Sequence, residues 1–190
     1  DWLYDLEKFS FFCNAALSAL PVIGFKPDVV HCHDWQTGLI PVYLKDRFRG
    51  GEFFANMKSV MTIHNLKFQG VWDVKTIQRF SMLPDYYFTP DKLEAYKDGN
   101  MLKGGIVFAD AITTVSQTYA EEIKMPFYGE GLDGLMQARS NSLRGIVNGI
   151  DYDEYNPETD SMIVKNYNAK TFRKEKVKNK TALQEELGLE

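Results

Sequence analysis

Asp28-Val29-Val30-His31-Cys32-His33-Asp34-Trp35 lies between two stretches of helical pattern, and its reading decides the fold. Residues 28–32 form a short run rich in apolar and β-branched side chains after Pro27, which predicts a buried strand. Upstream, Phe9, Phe12, Cys13, Ala16, Leu17 and Leu20 recur at helical spacing and mark one apolar helix face, broken between Pro21 and Pro27. Downstream, a second helix is expected within residues 35–48, entered near Thr37 because Pro41 is tolerated only in a first turn. The alternation then repeats. Residues 58–63, 111–115 and 143–147 read as further strands. Residues 100–108, 132–138 and the segment from the capping Ser116 through Ile123 read as helices, and 174–187 as a charged amphipathic helix. Residues 70–99 read as irregular, with short helical turns. Strands that alternate with helices predict an α/β fold, a parallel sheet with helices on both faces.

Composition narrows the function. The 190-residue chain is 44% apolar, 25% charged and 14% aromatic, enough for one sizeable core, and its net charge is −4. Basic residues concentrate only toward the C-terminus, so no nucleic-acid partner is expected. No apolar run reaches bilayer length, and no basic segment followed by an apolar stretch opens the chain, so neither a membrane span nor a signal peptide is expected. Cys13 and Cys32 are too few for a disulfide framework and read as free thiols of a reducing cytoplasm. The chain opens at Asp1 without Met and stops just beyond Leu187-Gly188-Leu189, so it reads as cut at both ends.

Chemistry-bearing residues cluster where the strands end. His31, His33, Asp34 and Trp35 follow the first strand, Thr62, His64 and Asn65 the second, Ser116 and Gln117 the third, and Asn148, Gly149 and Asp151 the fourth. The carboxyl ends of an open α/β sheet form its ligand crevice, so all three histidines map to one edge. Taken singly, each reads as a satisfied structural histidine; three at adjacent strand ends ask for a function. A metal site would use His31, His33 and His64, with Asp34 as an oxygen donor, and would suit catalytic zinc. Against it, the two histidines of the first strand straddle that strand's end. A hydrolase triad has little support, because no Gly-x-Ser-x-Gly elbow is present and Ser116 sits in Val-Ser-Gln-Thr. Sugar recognition fits better: His, Asp, Asn and Gln groups suit hydroxyls, and the face of Trp35 suits the C–H side of a ring. Gly129, Gly131 and Gly134 spell Gly-x-Gly-x-x-Gly, but Pro126 spoils a preceding central strand, so they read as a loop and not as a dinucleotide cradle.

The motifs resemble those of one family. His31-Cys32-His33-Asp34-Trp35 is similar to the His-x-His-Asp-Trp block of bacterial glycogen synthases and plant starch synthases. Thr62-Ile63-His64-Asn65-Leu66 with Phe68-Gln69-Gly70 resembles their next block, and residues 100–110 and 113–123 the two that follow. Tyr128-Gly129-Glu130-Gly131-Leu132-Asp133-Gly134-Leu135 and Gly145-Ile146-Val147-Asn148-Gly149-Ile150-Asp151 complete the order across nearly the whole chain. Tyr155 stands where the family usually has Trp.

The resemblance implies a partial N-terminal, Rossmann-like half of a two-domain GT-B glycosyltransferase. Residues 1–160 would belong to that domain and 161–190 to the interdomain linker and the start of the connection to a second domain. It implies transfer of glucose from ADP-glucose to the non-reducing end of an α-1,4-glucan with retention of configuration, no metal or other cofactor, and a cytoplasmic or plastid location. His33 would be the catalytic histidine beside the transferring glucose, and His31 a packed structural one. Asp34, Trp35, His64, Asn65 and Asn148 would line the substrate cleft. The family's Lys-x-Gly-Gly-Leu loop has no counterpart here, because Lys103-Gly104-Gly105 belongs to another block, so this stretch alone is expected to transfer no glucose. The competing readings are a non-catalytic glycan-binding module and a metal-dependent hydrolase.

Overall fold

A computed structural model describes residues 2–190, the side chain of Trp2 apart. In chain order the elements are α1 (Trp2–Val22), β1 (Val29–His33), α2 (Leu39–Lys45), β2 (Lys58–Ile63), β3 (Val71–Asp73), α3 (Val74–Ser81), β4 (Glu94–Ala95), β5 (Asp98–Asn100), α4 (Met101–Phe108), β6 (Ala111–Thr114), α5 (Gln117–Glu122), α6 (Asp133–Ala138), β7 (Leu143–Gly145) and α7 (Phe172–Leu187). The chain divides into two compact units, Asp1–Val147 and Asn148–Glu190. No helix among the described residues is long and apolar enough to cross a membrane.

The first unit is built on a parallel sheet of order β1-β2-β6-β7. Each strand adds to the same side of the last. Right-handed crossovers in one direction put their helices on one face. That face carries Cys32, Met61, Ile112 and Leu143, all buried. Packing among the helices is close, and at Gly38, where the neighbour is backbone, it requires glycine. A Cβ at Gly105 of α4 would come 2.4 Å from the Met61 Cε, and one at Gly38 would come 2.2 Å from the Met101 carbonyl oxygen. The other face carries exposed His31 and His33, and Val29 at 50% exposure. The sequence-based expectation of a parallel α/β sheet is met; the expectation of helices on both faces is not, because the strand order advances in one direction, and in this chain the other face bears the histidines.

Residues 70–99 are more ordered than their composition suggests. They hold α3 and most of a small antiparallel sheet of order β3-β5-β4. The β4–β5 turn places Tyr96 and Lys97 at φ +55° and +75°. A two-residue hairpin turn of this hand normally uses Asn-Gly or Gly-Gly, and its absence hides the hairpin. Helix α3 starts where Asp73 Oδ1 accepts the Thr76 N–H at 3.0 Å. Local capping likewise starts α4 and α5, through Asn100 on the Lys103 N–H at 2.8 Å and Ser116 on the Tyr119 N–H at 2.9 Å.

The second unit is a series of polar turns and α7. Asn179 of α7 accepts the Lys165 N–H at 2.8 Å and donates to the Lys165 carbonyl at 2.7 Å, pinning the loop to the helix. Gly188, at φ +63°, ends α7 in the left-handed conformation that glycine favours.

One residue at the tip of β1 is strained. Asp34 has φ +55° and ψ −171°, a region that side chains other than hydrogen rarely adopt. Its surroundings hold it there. The Asp34 N–H donates to the Thr62 carbonyl at 3.0 Å, and Asp34 Oδ1 accepts the His64 N–H at 2.7 Å. The parent already bears the strain of a Cβ at positive φ, so loss of the charge-assisted bond alone gives Asp34→Ala an expected cost of about 1.5–3 kcal/mol. Asp34→Asn keeps the acceptor and should cost about 1 kcal/mol or less. Urea unfolding of both variants checks this, and equal losses would remove the side-chain bond from the account.

Candidate functional site

Strand periodicity builds the site. His31 and His33 are two apart on β1, so both rings rise from the same sheet face, with centroids 4.2 Å apart. In the parallel register His33 lies beside Thr62, and Thr62 beside Thr113. His64 follows β2 directly, and its Nε2 lies 3.0 Å from His33 Nδ1. His31 Nε2 meets Thr62 Oγ1 at 2.6 Å, and that hydroxyl meets Thr113 Oγ1 at 2.6 Å. The result is a row of three exposed imidazoles backed by two threonine hydroxyls along the carboxyl edge of the sheet. The resemblance implied a packed position for His31; in this chain period-two alternation sets it on the same face as His33, with its ring exposed.

Thr37 steadies the base of the row. Its hydroxyl accepts the His33 N–H at 2.6 Å and donates to the His33 carbonyl at 2.8 Å. The His33 ring is held below the usual histidine range by partial burial first, then by the neighbouring His31 and His64, with Asp34 opposing. Neutral His33 is thus the favoured form. Among the described residues no His, Cys, Asp and Glu groups converge to hold a metal ion. The reason is visible in the row: His33 and His64 bond to each other, and His31 bonds to a hydroxyl. The metal-hydrolase reading has no support here.

The remaining predicted residues separate. Asp34 joins the cluster, but its carboxylate is directed at the His64 backbone. Trp35 does not join it. The indole is 5% exposed, packs edge-on against Phe9 at 5.2 Å and lies 5.5 Å from Trp72, and a Cβ at Gly70 would come 2.6 Å from its ring. Trp35 is a core residue, so the expectation that its face meets a sugar is corrected. Asn65 is exposed beside His64, with its Oδ1 accepting the Lys67 N–H at 3.0 Å. Asn148 opens the second unit and is not among the residues that the first unit brings together.

Thr37 and Thr113 were missed by the sequence reading. Their signal was positional: Thr113 shares a sheet face and register with His33, which becomes readable only once strand order is known. Gly129 and Gly131 lie in a loop that leads into α6, as their sequence context predicts. Tyr96 donates to the Gly131 carbonyl at 2.9 Å and Gln69 to the Glu130 carbonyl at 2.9 Å, so its backbone is turned to the hairpin and to the segment after β2. Cys13 and Cys32 are both free and buried, with burial pushing each thiol up to about 12.

Comparison with known proteins agrees with this fold. The family profile described as the starch synthase catalytic domain matches residues 1–138. The glycogen synthase of Lachnospira eligens is 72% identical over 189 residues, which is 99% of this chain and 40% of that protein. The glycogen synthase of Thermotoga maritima is 54% identical over 183 residues, covering 96% of this chain and 37% of that one. Among solved structures, the catalytic domain of starch synthase IV from Arabidopsis thaliana, bound to ADP and acarbose, superposes with a TM-score of 0.78 at 35% identity, over 98% of this chain and 38% of that one. The chain thus spans about 40% of the length of these relatives. With a parallel α/β sheet, a histidine row at its carboxyl edge and this degree of identity, the chain belongs to the glycogen synthase and starch synthase catalytic-domain family.

Proposed function

We propose that, within the complete protein, this chain supplies the histidine-bearing wall of a cleft that transfers glucose from ADP-glucose to the non-reducing end of an α-1,4-glucan, with retention of configuration. The observation that carries the reading is His33, an exposed imidazole at the end of β1 whose environment keeps it neutral. Glycosyl transfer builds positive charge on the sugar ring. A neutral ring hydrogen-bonds a hydroxyl of that sugar without adding a repelling charge, whereas an imidazolium would oppose the transition state. Catalysis of this type is positioning and electrostatic stabilisation, so no nucleophile is asked of this chain and the reading calls for no metal. His64 and Asn65 lie beside the reacting sugar in this reading. The ADP and acarbose in the starch synthase IV structure support a nucleotide sugar and a glucan as the two substrates. Burial of Trp35 takes away the aromatic platform on which a stand-alone glycan-binding module would depend.

In the complete protein, His33→Ala should lower kcat by about 10²–10³-fold, the usual worth of one transition-state hydrogen bond, with the fold retained. Glucosyl transfer within a few-fold of the parent would remove His33 from the mechanism. The same ring makes a prediction about stability. Its proton affinity is lower in the folded chain than the ordinary value of 6.5, so the unfolded chain binds more protons between that value and the lowered one. Stability should therefore fall as pH drops below 6.5, and His33→Gln should flatten part of that fall. Urea midpoints across this range, identical in slope for parent and variant, would contradict the assignment of a depressed His33.

A further inference from the structure

His33 is held on one side only. Its Nδ1 faces His64 Nε2 at 3.0 Å, while among the described residues its Nε2 has no hydrogen-bond partner. Two neutral imidazoles joined in this way share one hydrogen, and two arrangements exist. If His64 Nε2–H donates, His33 Nδ1 accepts and the His33 proton must sit on Nε2. If His33 Nδ1–H donates, its Nε2 is a bare lone pair. The Nε2–H form is the preferred tautomer of neutral histidine, and the first arrangement lets both rings adopt it. Which nitrogen of a functional histidine carries the proton is set by the bond made at the other nitrogen.

We propose that His64 is a positioning residue for glucosyl transfer: its Nε2–H locks His33 as the Nε2–H tautomer, so that His33 presents a fixed donor to a hydroxyl of the transferring sugar. This rests on the reading of His33 given above. The lock has its own support. The His64 backbone is tied to Asp34 Oδ1 at 2.7 Å, and Asp34 is tied to the Thr62 carbonyl at 3.0 Å. The strained Asp34 thus sets the ends of β1 and β2 level and brings the two rings to bonding distance. His31 offers no equivalent contact, because its Nε2 is engaged with Thr62. The carboxylate that the motif suggested for substrate holds the residue that orients the donor instead.

Two substitutions separate orientation from structure. His64 is exposed, and its tie to Asp34 is through the backbone, so His64→Ala leaves both the core and that tie in place. His64→Gln keeps an N–H near the position of Nε2 but cannot titrate. The first measurement is nitrogen-15 NMR of the His33 ring in this chain at a pH where it is neutral, which needs no turnover. The parent should show the Nε2–H tautomer, His64→Ala a mixture, and His64→Gln a return to Nε2–H. A parent carrying Nδ1–H, or an unchanged ring in His64→Ala, would overturn the proposal. The second is steady-state transfer by the complete protein, in which His64→Ala should lower kcat by about 10-fold with little change in KM, and His64→Gln should recover most of it. A kcat unaffected by His64→Ala would also overturn it. Full activity in His33→Ala with the tautomer shift intact would instead mean that the functional reading of His33 had failed and the ring–ring lock had not.

Discussion

Parallel pairing of β1 with β2, in the register that sets His33 beside Thr62, is the constraint from which the site follows. Because the strands run the same way, their carboxyl ends finish at one edge. Because side chains alternate with period two, His31 and His33 share a face, and Thr62 and Thr113 continue that face across the sheet. The pairing does not stop at the last strand residue. Asp34 extends it by one more bond to Thr62 and then bends away at φ +55°, using its carboxylate to catch the next turn at His64. A slip of one residue would send the histidines to the packed face, where Cys32 and Met61 now lie.

The opposite face explains why that register is secure. Strand order advances in one direction, so the helices of the first unit gather on one side and bury Cys32, Met61 and Ile112. Gly38 lets the start of α4 approach the turn after β1 at a distance that no side chain would permit, and Gly105 of α4 packs against the Met61 side chain of β2. Trp35, closed in by Phe9, Trp72 and Gly70, fixes the turn after His33-Asp34 from beneath. The aromatic residue two positions after His33 is thus part of the foundation of the turn. Fold and site divide the motif between them: alternate residues face the core and the open edge.

Much of this was legible in sequence. Lys58–Ile63 read as a strand and appears as one, Pro41 falls in the first turn of α2, and Ser116 caps α5. These features have local causes: an apolar run, a ring that removes an N–H, a hydroxyl near an unpaired donor. Spacing alone placed three histidines at one edge. What could not be read depends on partners distant in the chain. Trp35 looked like a sugar platform because nothing local announces that Gly70 and Phe9 close over it. Thr113 acquires its role only through the strand order β1-β2-β6. The small sheet within residues 70–99 was hidden by Tyr96 and Lys97, which adopt a glycine-like turn without glycine. Alternation from His33 already places His31 on the same face.

The central claim is that the His33 imidazole faces the transferring sugar. A crystal structure of the complete protein with ADP and a glucan analogue such as acarbose in the cleft tests it most directly. The account predicts His33 Nε2 within about 3 Å of a sugar hydroxyl, with Nδ1 still on His64. A His33 ring turned into the protein, with the sugar bound elsewhere, would contradict it.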